Sequence, residues 1–562
     1  MNKRFSQART FAALASLNLF MAGCANHAQL GAHSASAAPT ATLASASMAD
    51  AACARLSGQT IPASALGLPT TGASVSSATL VDANAPGNAN GEFCKVAGVI
   101  HPIDPAAPGI QFEVNLPSSW NGKALQRGGG GYDGTVVSGL DQVPFGPMSG
   151  PTPLAQGYVT FGSDSGHASP SNVDGRFALN DEALADFGGN QIKKTHDVAL
   201  FLMKARYGSG PKRTYFAGNS QGGHETFLAI QRWPADYDGA IATHPVYDFI
   251  LLQLDGNYLS KKVYARGGAG WLNPAKVALL QREVLKSCDG LDGVEDGVIS
   301  NVAACRKTFK VSKLRCEGGK DTGDTCLSDA QIAAAKAIDS RMNLGYALAN
   351  GVHSFARWPI FEGGDWSSIF TFGKQAVPSS PPTPMADFGL YVLSDPAIRY
   401  AITRDTNIDS LTFDPNQWKA RTQQLSNIMD ANDVDLSAFE SHGGKLLLMH
   451  GSVDTAVSPY NTIDYYNRLV AHMGKSETER FMRFYIVPGF GHGTGQYIAS
   501  WDSLGALDSW VENGVAPKDL IVADSGKGKN GRTRPLCEYP SWPRYNGTGD
   551  VDAASSFTCA MN

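Results

Sequence analysis

Charge is scarce in this chain. Asp, Glu, Lys and Arg make up 17% of its 562 residues, and the formal net charge is -5. That balance gives no electrostatic reason to expect nucleic acid as a partner. Beyond the N-terminus there is no apolar run long enough for a membrane span. None of the nine cysteines sits in a C-x-x-C pair, which argues against a zinc site. What is present is a globular composition, 43% apolar, with ample material for a core.

The N-terminus reads as an export signal over residues 1–24. Lys3, Arg4 and Arg9 supply the positive region, and Phe11 to Met21 is apolar. Met21-Ala22-Gly23-Cys24 resembles a lipoprotein signal, with Cys24 as the lipidated residue and the outer membrane as its anchor. Ordinary signal cleavage stays open as the alternative. Export then means a periplasmic, outer-membrane-anchored or secreted protein. Residues 25–50 are rich in Ala, Ser and Thr and read as a flexible tether. With Cys24 set aside, eight cysteines remain, at 53, 94, 288, 305, 316, 326, 537 and 559. An even number in an oxidising compartment favours disulfides, and their connectivity is not deducible from spacing.

The informative stretch is Thr214 to Glu225, T-Y-F-A-G-N-S-Q-G-G-H-E, centred on Gly218-Asn219-Ser220-Gln221-Gly222. Tyr215 to Ala217 suits a buried strand, and Phe227, Leu228 and Ile230 follow at helical spacing. A strand that turns sharply into a helix at G-x-S-x-G is the context of a nucleophile elbow. Taken alone, the pentapeptide is a weak signal, since a glycine-rich turn with no chemistry reads the same way.

The surrounding pattern strengthens it. Gly109 to Leu116 alternates at a two-residue period, and Ala124 to Gln126 and Tyr158 to Phe161 read as further strands. Ile192 to Arg206 has helical spacing, and Tyr237 to Thr243 reads as the next strand. Four glycines, Gly128 to Gly131, follow an early strand, where an α/β-hydrolase places one oxyanion donor. Alternation breaks over residues 246–441 and resumes with strands at Lys445 to Met449 and Met482 to Val487. The expected fold class is α/β: an α/β-hydrolase core in two parts, 51–245 and 442–562, with 246–441 inserted as a lid. Trp358, Phe361, Trp366, Phe370, Phe372, Phe388 and Tyr391 of that lid are candidates for an apolar substrate pocket, most of them expected to serve the lid's own core.

A triad on this fold runs Ser, then Asp or Glu, then His. Asp454 lies in His450-Gly451-Ser452-Val453-Asp454 and His492 in Val487-Pro488-Gly489-Phe490-Gly491-His492, each a loop directly after a strand. A serine hydroxyl is a poor nucleophile until an imidazole accepts its proton and a carboxylate holds that imidazole's tautomer. Backbone N–H groups of Gln221 and Gly131 are the candidate oxyanion donors. Of the twelve histidines, His167, His224, His244 and His450 are the rivals, read as packing or hydrogen-bonding residues. Only His492 combines chain order, a place after the last core strand and loop context.

Asp289, Asp292 and Asp296 form a second cluster, spaced three and four apart among glycines. Such oxygens can wrap one hard cation, and Ca2+ suits them in a structural role. A solvated acidic turn is the bland alternative, but burying three aspartates beside flanking cysteines without a cation would be costly through repulsion, which favours the metal.

At these residues the chain resembles the tannase and feruloyl esterase family, which includes mono(2-hydroxyethyl) terephthalate hydrolases. The resemblance rests on Gly128 to Gly134, Tyr215 to Gly223, C-D-G-L-D-G-V-E-D-G-V at Cys288 to Val298, Val487-Pro488-Gly489, and Arg532 to Cys537 with Tyr545 and Gly549-Asp550. It implies Ser220, Asp454 and His492 as triad, oxyanion donors at Gly131 and Gln221, and calcium held by the Asp289, Asp292 and Asp296 side chains with the Val294 and Val298 carbonyls. It implies the pairs Cys53–Cys94, Cys288–Cys305, Cys316–Cys326 and Cys537–Cys559. Family members commonly carry a bonded cysteine pair just before the serine and just after the histidine; here those positions are Asn219 and Gly493. The expected activity is an exported serine carboxylesterase acting on small esters of aromatic acids, of feruloyl, galloyl or terephthaloyl type. The alternatives are a non-catalytic cell-surface binding protein on the same fold, or a serine peptidase, against which stands the lack of any propeller-like repeat.

Overall fold

The computed structural model describes residues 48–169, 171–367, 371–528 and 531–561. The expected signal with Cys24, most of the tether, and Phe370 lie outside them.

Ten strands form one sheet: β1 (Thr60–Ile61), β2 (Gly72–Val81), β3 (Phe93–His101), β4 (Ile110–Pro117), β5 (Lys123–Arg127), β6 (Val159–Ser163), β7 (Arg213–Asn219), β8 (Gly239–Thr243), β9 (Lys445–Gly451) and β10 (Met482–Val487). Their spatial order is β1-β2-β3-β4-β6-β5-β7-β8-β9-β10. β1 to β4 and β6 pair antiparallel in that order, while β6-β5-β7-β8-β9-β10 are all parallel. The parallel strands are covered by helices on both faces and are buried through most of their length, as a doubly covered sheet requires. This is an α/β-hydrolase core.

The strands read from periodicity are present within a residue or two of their expected limits. β2 and β3 were not legible as strands. The reason is visible in β2, whose register against β3 shifts between Val75 and Ser77. A bulge resets the two-residue period, and the Ser, Ala and Thr side chains of this edge region give little hydrophobic contrast.

Between β8 and β9 the chain leaves the sheet. Helices α1 (Phe249–Gly268), α2 (Pro274–Cys288), α3 (Gly389–Pro396) and α4 (Lys419–Met429) lie in this insertion with many short turns. Their apolar faces share one large cluster that also takes in Tyr132, Phe187, Ala456 and Val457 from the core. The insertion is therefore continuous with the top of the sheet.

The four expected disulfides are all present: Cys53–Cys94, Cys288–Cys305, Cys316–Cys326 and Cys537–Cys559. Among the described residues no helix is long and apolar enough to cross a membrane.

Candidate active site

Ser220 sits between β7 and the helix Gln221–Arg232 with φ 62° and ψ -120°, a region costly for a side chain larger than glycine's. Its surroundings hold it there. The Ser220 N–H donates to Thr243 O at 2.9 Å, and the Gly222 N–H donates to Gly129 O at 3.0 Å. Glycine is required on both sides of the serine: a Cβ on Gly218 would stand 2.1 Å from Gly222 O, and one on Gly222 would stand 2.9 Å from the Gly128 carbonyl carbon.

Asp454 and His492 follow β9 and β10, adjacent parallel strands. Their loops are laced together, because Val453 N–H donates to Phe490 O at 3.0 Å and Gly489 N–H to Ser452 Oγ at 3.1 Å. His492 Nδ1 lies 2.8 Å from Asp454 Oδ2. That bond places the imidazole proton at Nδ1 and leaves Nε2 as the basic nitrogen. Asp454 is fully buried. Burial by itself would raise its pKa, yet the imidazoles of His492, His450 and His244 hold it well below the usual carboxylate range. Its other oxygen accepts the Ala456 and Val457 N–H groups at 2.7 and 3.1 Å.

The rival histidines sort by partner. His167 bonds the Tyr132 carbonyl and His224 the Val246 carbonyl, as packing residues do. His450 and His244 surround Asp454 instead, with Nε2 atoms 3.3 and 4.0 Å from Oδ2. Chain order alone carried no sign of that grouping.

The glycine loop is fastened from beneath. Gly129 N–H donates to Glu225 Oε2 at 2.8 Å, and Gln191 Nε2 donates to the other Glu225 oxygen at 2.8 Å. Among the described residues, neither Gly131 N–H nor Gln221 N–H has a protein acceptor, so both are available as donors. Ser220, His492, Gln221 and Gly128 to Tyr132 line one cavity of about 500 Å³. Val246, Phe249, Leu252, Val392, Leu393, Ala456 and Val457 supply its apolar wall. None of Trp358, Phe361, Trp366, Phe372, Phe388 and Tyr391 is among the lining residues. These rings pack in the insertion's core, Trp366 lying 5.6 Å from Phe372 and 6.2 Å from Trp358, while Phe361 meets Phe309 and Tyr391 meets Tyr264. An insertion of short irregular segments needs large side chains to fill its centre, and the cavity wall falls to Phe249, Leu252 and Gln253 of α1 with Val392 and Leu393 of α3.

Asp289, Asp292 and Asp296 lie where the insertion meets the C-terminal segment. Asp289 accepts Gly297 N–H at 3.0 Å, Asp292 accepts Ser300 N–H at 3.0 Å, and Asp296 pairs with Arg534. Burial, with Asp296 nearby, pushes Asp292 up to about 6. One buried and two half-buried carboxylates that repel one another fit the all-oxygen donor set of a hard cation, with Arg534 offsetting part of the charge.

The profile described as tannase and feruloyl esterase matches residues 94–560. The chain belongs to that family. It is 44% identical to an uncharacterized esterase of Agrobacterium fabrum, over 90% of this chain and 93% of the relative. It is 31% identical to the mono(2-hydroxyethyl) terephthalate hydrolase of Piscinibacter sakaiensis, over 84% of this chain and 85% of that enzyme. The crystal structure of feruloyl esterase B from Aspergillus oryzae superposes with a TM-score of 0.73 at 25% identity, covering 91% of this chain and 100% of that one. The protein is a carboxylic ester hydrolase, which removes the binding-protein and peptidase alternatives.

Beneath the glycine loop, burial and the neighbouring Glu225 carboxylate raise Asp133 well above its usual range, and burial raises Glu225 as well. A proton on Asp133 would relieve the repulsion between the two carboxylates. A carboxyl with a raised native pKa binds its proton more tightly folded than unfolded, so stability falls as pH rises above the unfolded value of about 4. We expect Asp133→Asn, which keeps the shape of the side chain but does not titrate, to flatten the decline of stability between pH 5 and 8, by up to about 1.4 kcal/mol per pH unit. Chemical denaturation across that range measures both slopes, and equal slopes would refute the raised Asp133 pKa.

Proposed function

We propose that the protein is an exported serine esterase that hydrolyses esters of neutral aromatic acids through an acyl-enzyme. The observation that carries this reading is the 2.8 Å bond from His492 to the buried Asp454, in a cavity shared with the strained Ser220. Ser220 Oγ attacks the ester carbonyl while His492 Nε2 accepts its proton and then passes it to the leaving alcohol. Water repeats the sequence and frees the acid. The N–H groups of Gly131 and Gln221 stabilise the tetrahedral oxyanion, each worth about 10²–10³-fold in rate.

The cavity volume suits one aromatic acyl group, and its wall is largely apolar. No lysine or arginine lines it among the described residues. A terephthalate monoester would bring an uncompensated carboxylate into that wall, at a desolvation cost. Feruloyl- and galloyl-type acyl groups carry no such charge. The relatives named feruloyl esterase support this choice, and the terephthalate relative marks the competitor.

The test is hydrolysis of methyl ferulate, methyl gallate, mono(2-hydroxyethyl) terephthalate and p-nitrophenyl acetate by the protein and its Ser220→Ala variant. Activity should fall by at least about 10³-fold in the variant, with the neutral aromatic esters favoured over the terephthalate by at least about tenfold in kcat/KM. Activity surviving Ser220→Ala would refute the serine mechanism, and preference for the terephthalate would refute the charge argument.

Two further parts of the reading have separate tests. Calcium bound by Asp289, Asp292 and Asp296 with the Val294 and Val298 carbonyls would clamp the insertion to the C-terminal segment. Ca2+ at a hundred times its Kd should stabilise EDTA-treated protein by about 2.7 kcal/mol, and Asp292→Asn should abolish the increment; an unchanged melting temperature would exclude the site. Export with lipidation at Cys24 predicts a mature chain beginning at that residue with added lipid mass. An N-terminus elsewhere, read by intact mass spectrometry, would discard the anchor.

A further inference from the structure

His244 stands outside the reacting groups, yet it is built into them. It follows β8 with φ 46°, in the left-handed region that a histidine rarely adopts. The residue is fully buried, and its N–H is tied to Met449 O at 3.0 Å. The ring meets His492 at 5.1 Å between centroids, Phe490 at 4.8 Å, His450 at 4.9 Å and Phe145 at 5.5 Å. It thus fills the space behind the Asp454–His492 pair.

Its two nitrogens face different chemistry. Nδ1 lies 2.8 Å from the position of the Asn219 carboxamide oxygen Oδ1, in the residue immediately before Ser220. Nε2 has no hydrogen-bond partner among the described residues, and it faces Asp454 Oδ2 at 4.0 Å. A carboxylate can only accept, so a lone pair on Nε2 would be repelled by it and an N–H attracted. A carboxamide can present either its oxygen or its isosteric amino group. Turning the Asn219 carboxamide over satisfies both ends: its amino group then donates to Nδ1 and the proton on Nε2 is directed at Asp454. Burial keeps the ring neutral, depressing its pKa well below the ordinary value. A charged His244 would repel the imidazolium that forms on His492 during acyl transfer.

We propose that His244 is a positioning residue for ester hydrolysis, its tautomer set by Asn219 and its Nε2–H and ring holding Asp454 and His492 in the orientation that serves Ser220. The inference rests on reading Ser220, His492 and Asp454 as the reacting residues. Asn219 joins the strained elbow to the carboxylate loop through this imidazole, so the nucleophile and the base are placed by one connected set of side chains. At 4.0 Å the contact with Asp454 is a charge–dipole interaction rather than a hydrogen bond. Its effect falls on orientation and not on substrate binding.

The test compares His244→Phe, which keeps a ring for the aromatic contacts but has no N–H, with His244→Gln, which keeps an N–H donor. Asn219→Ala and the double variant Asn219→Ala/His244→Phe complete a cycle, and Ser220→Ala is run beside them. Steady-state kinetics on methyl ferulate or p-nitrophenyl acetate and thermal melting are measured for each. We expect His244→Phe to melt near the parent and to lose between about 10- and 100-fold in kcat, with KM within about twofold. His244→Gln should recover part of that loss, and the double variant should be no slower than His244→Phe alone. Parental kcat in His244→Phe overturns the proposal. Equal losses in the Phe and Gln variants, each with a lowered melting temperature, overturn it too, because packing then explains everything. If Ser220→Ala retains activity, the reading of the reacting residues fails first, and that outcome is separable from either result at His244.

Discussion

Backbone packed against backbone sets the geometry of this site. Gly128 and Gly129, at the end of β5, lie against Gly222 in the first turn of the helix after Ser220. The Gly222 N–H reaches Gly129 O, and a Cβ on Gly128 would stand 2.5 Å from the Gly222 Cα. No side chain fits between the segments. The loop that presents Gly131 and the elbow that presents Ser220 are consequently one rigid unit, as preorganised oxyanion stabilisation requires. Glu225, one turn along the same helix, grips the loop from below through Gly129.

A second rigid unit faces the first. The loop after β9 donates the Ser452 and Val453 N–H groups to the end of β10 and its loop, Gly489 N–H returns to Ser452 Oγ, and Asp454 is enclosed among three imidazoles and two N–H groups. A buried carboxylate without such partners would protonate, and then it could not orient a base. The family's bonded cysteines beside the serine and the histidine have no counterpart here. Asn219 and Gly493 stand at those positions, and Asn219 bonds His244 instead. Side-chain hydrogen bonding and ring packing occupy the ground beside the elbow.

The insertion completes the cavity by lending α1, whose Phe249, Leu252 and Gln253 fall on one helical face at spacings of three and four. Its large aromatics hold the insertion together and stand behind the wall. Among the described residues the wall presents Phe249, Leu252, Val392 and Leu393 and no lysine or arginine, while the insertion's own large aromatics pack in its core.

Much of this was legible in one dimension. Local signals are strong where glycine is needed for close approach, as at Gly218 and Gly222, and where a buried strand must be continuously apolar, as in β7 to β10. Chain order then singled out Asp454 and His492, because each loop must follow a neighbouring strand of the same sheet. The disulfide pairs came from resemblance rather than from spacing, and the structure bears them out. Periodicity missed β2 and β3 because a bulge breaks phase and small polar side chains give no contrast. The cavity wall and the grouping of His244 and His450 around Asp454 had no local signature. Burial and electrostatic environment depend on which distant segments meet, and residues 219, 244, 450, 454 and 492 meet only because β7 to β10 lie side by side. Which residues could perform acyl transfer is a property of local chemistry and strand order; which ones tune it is a property of packing.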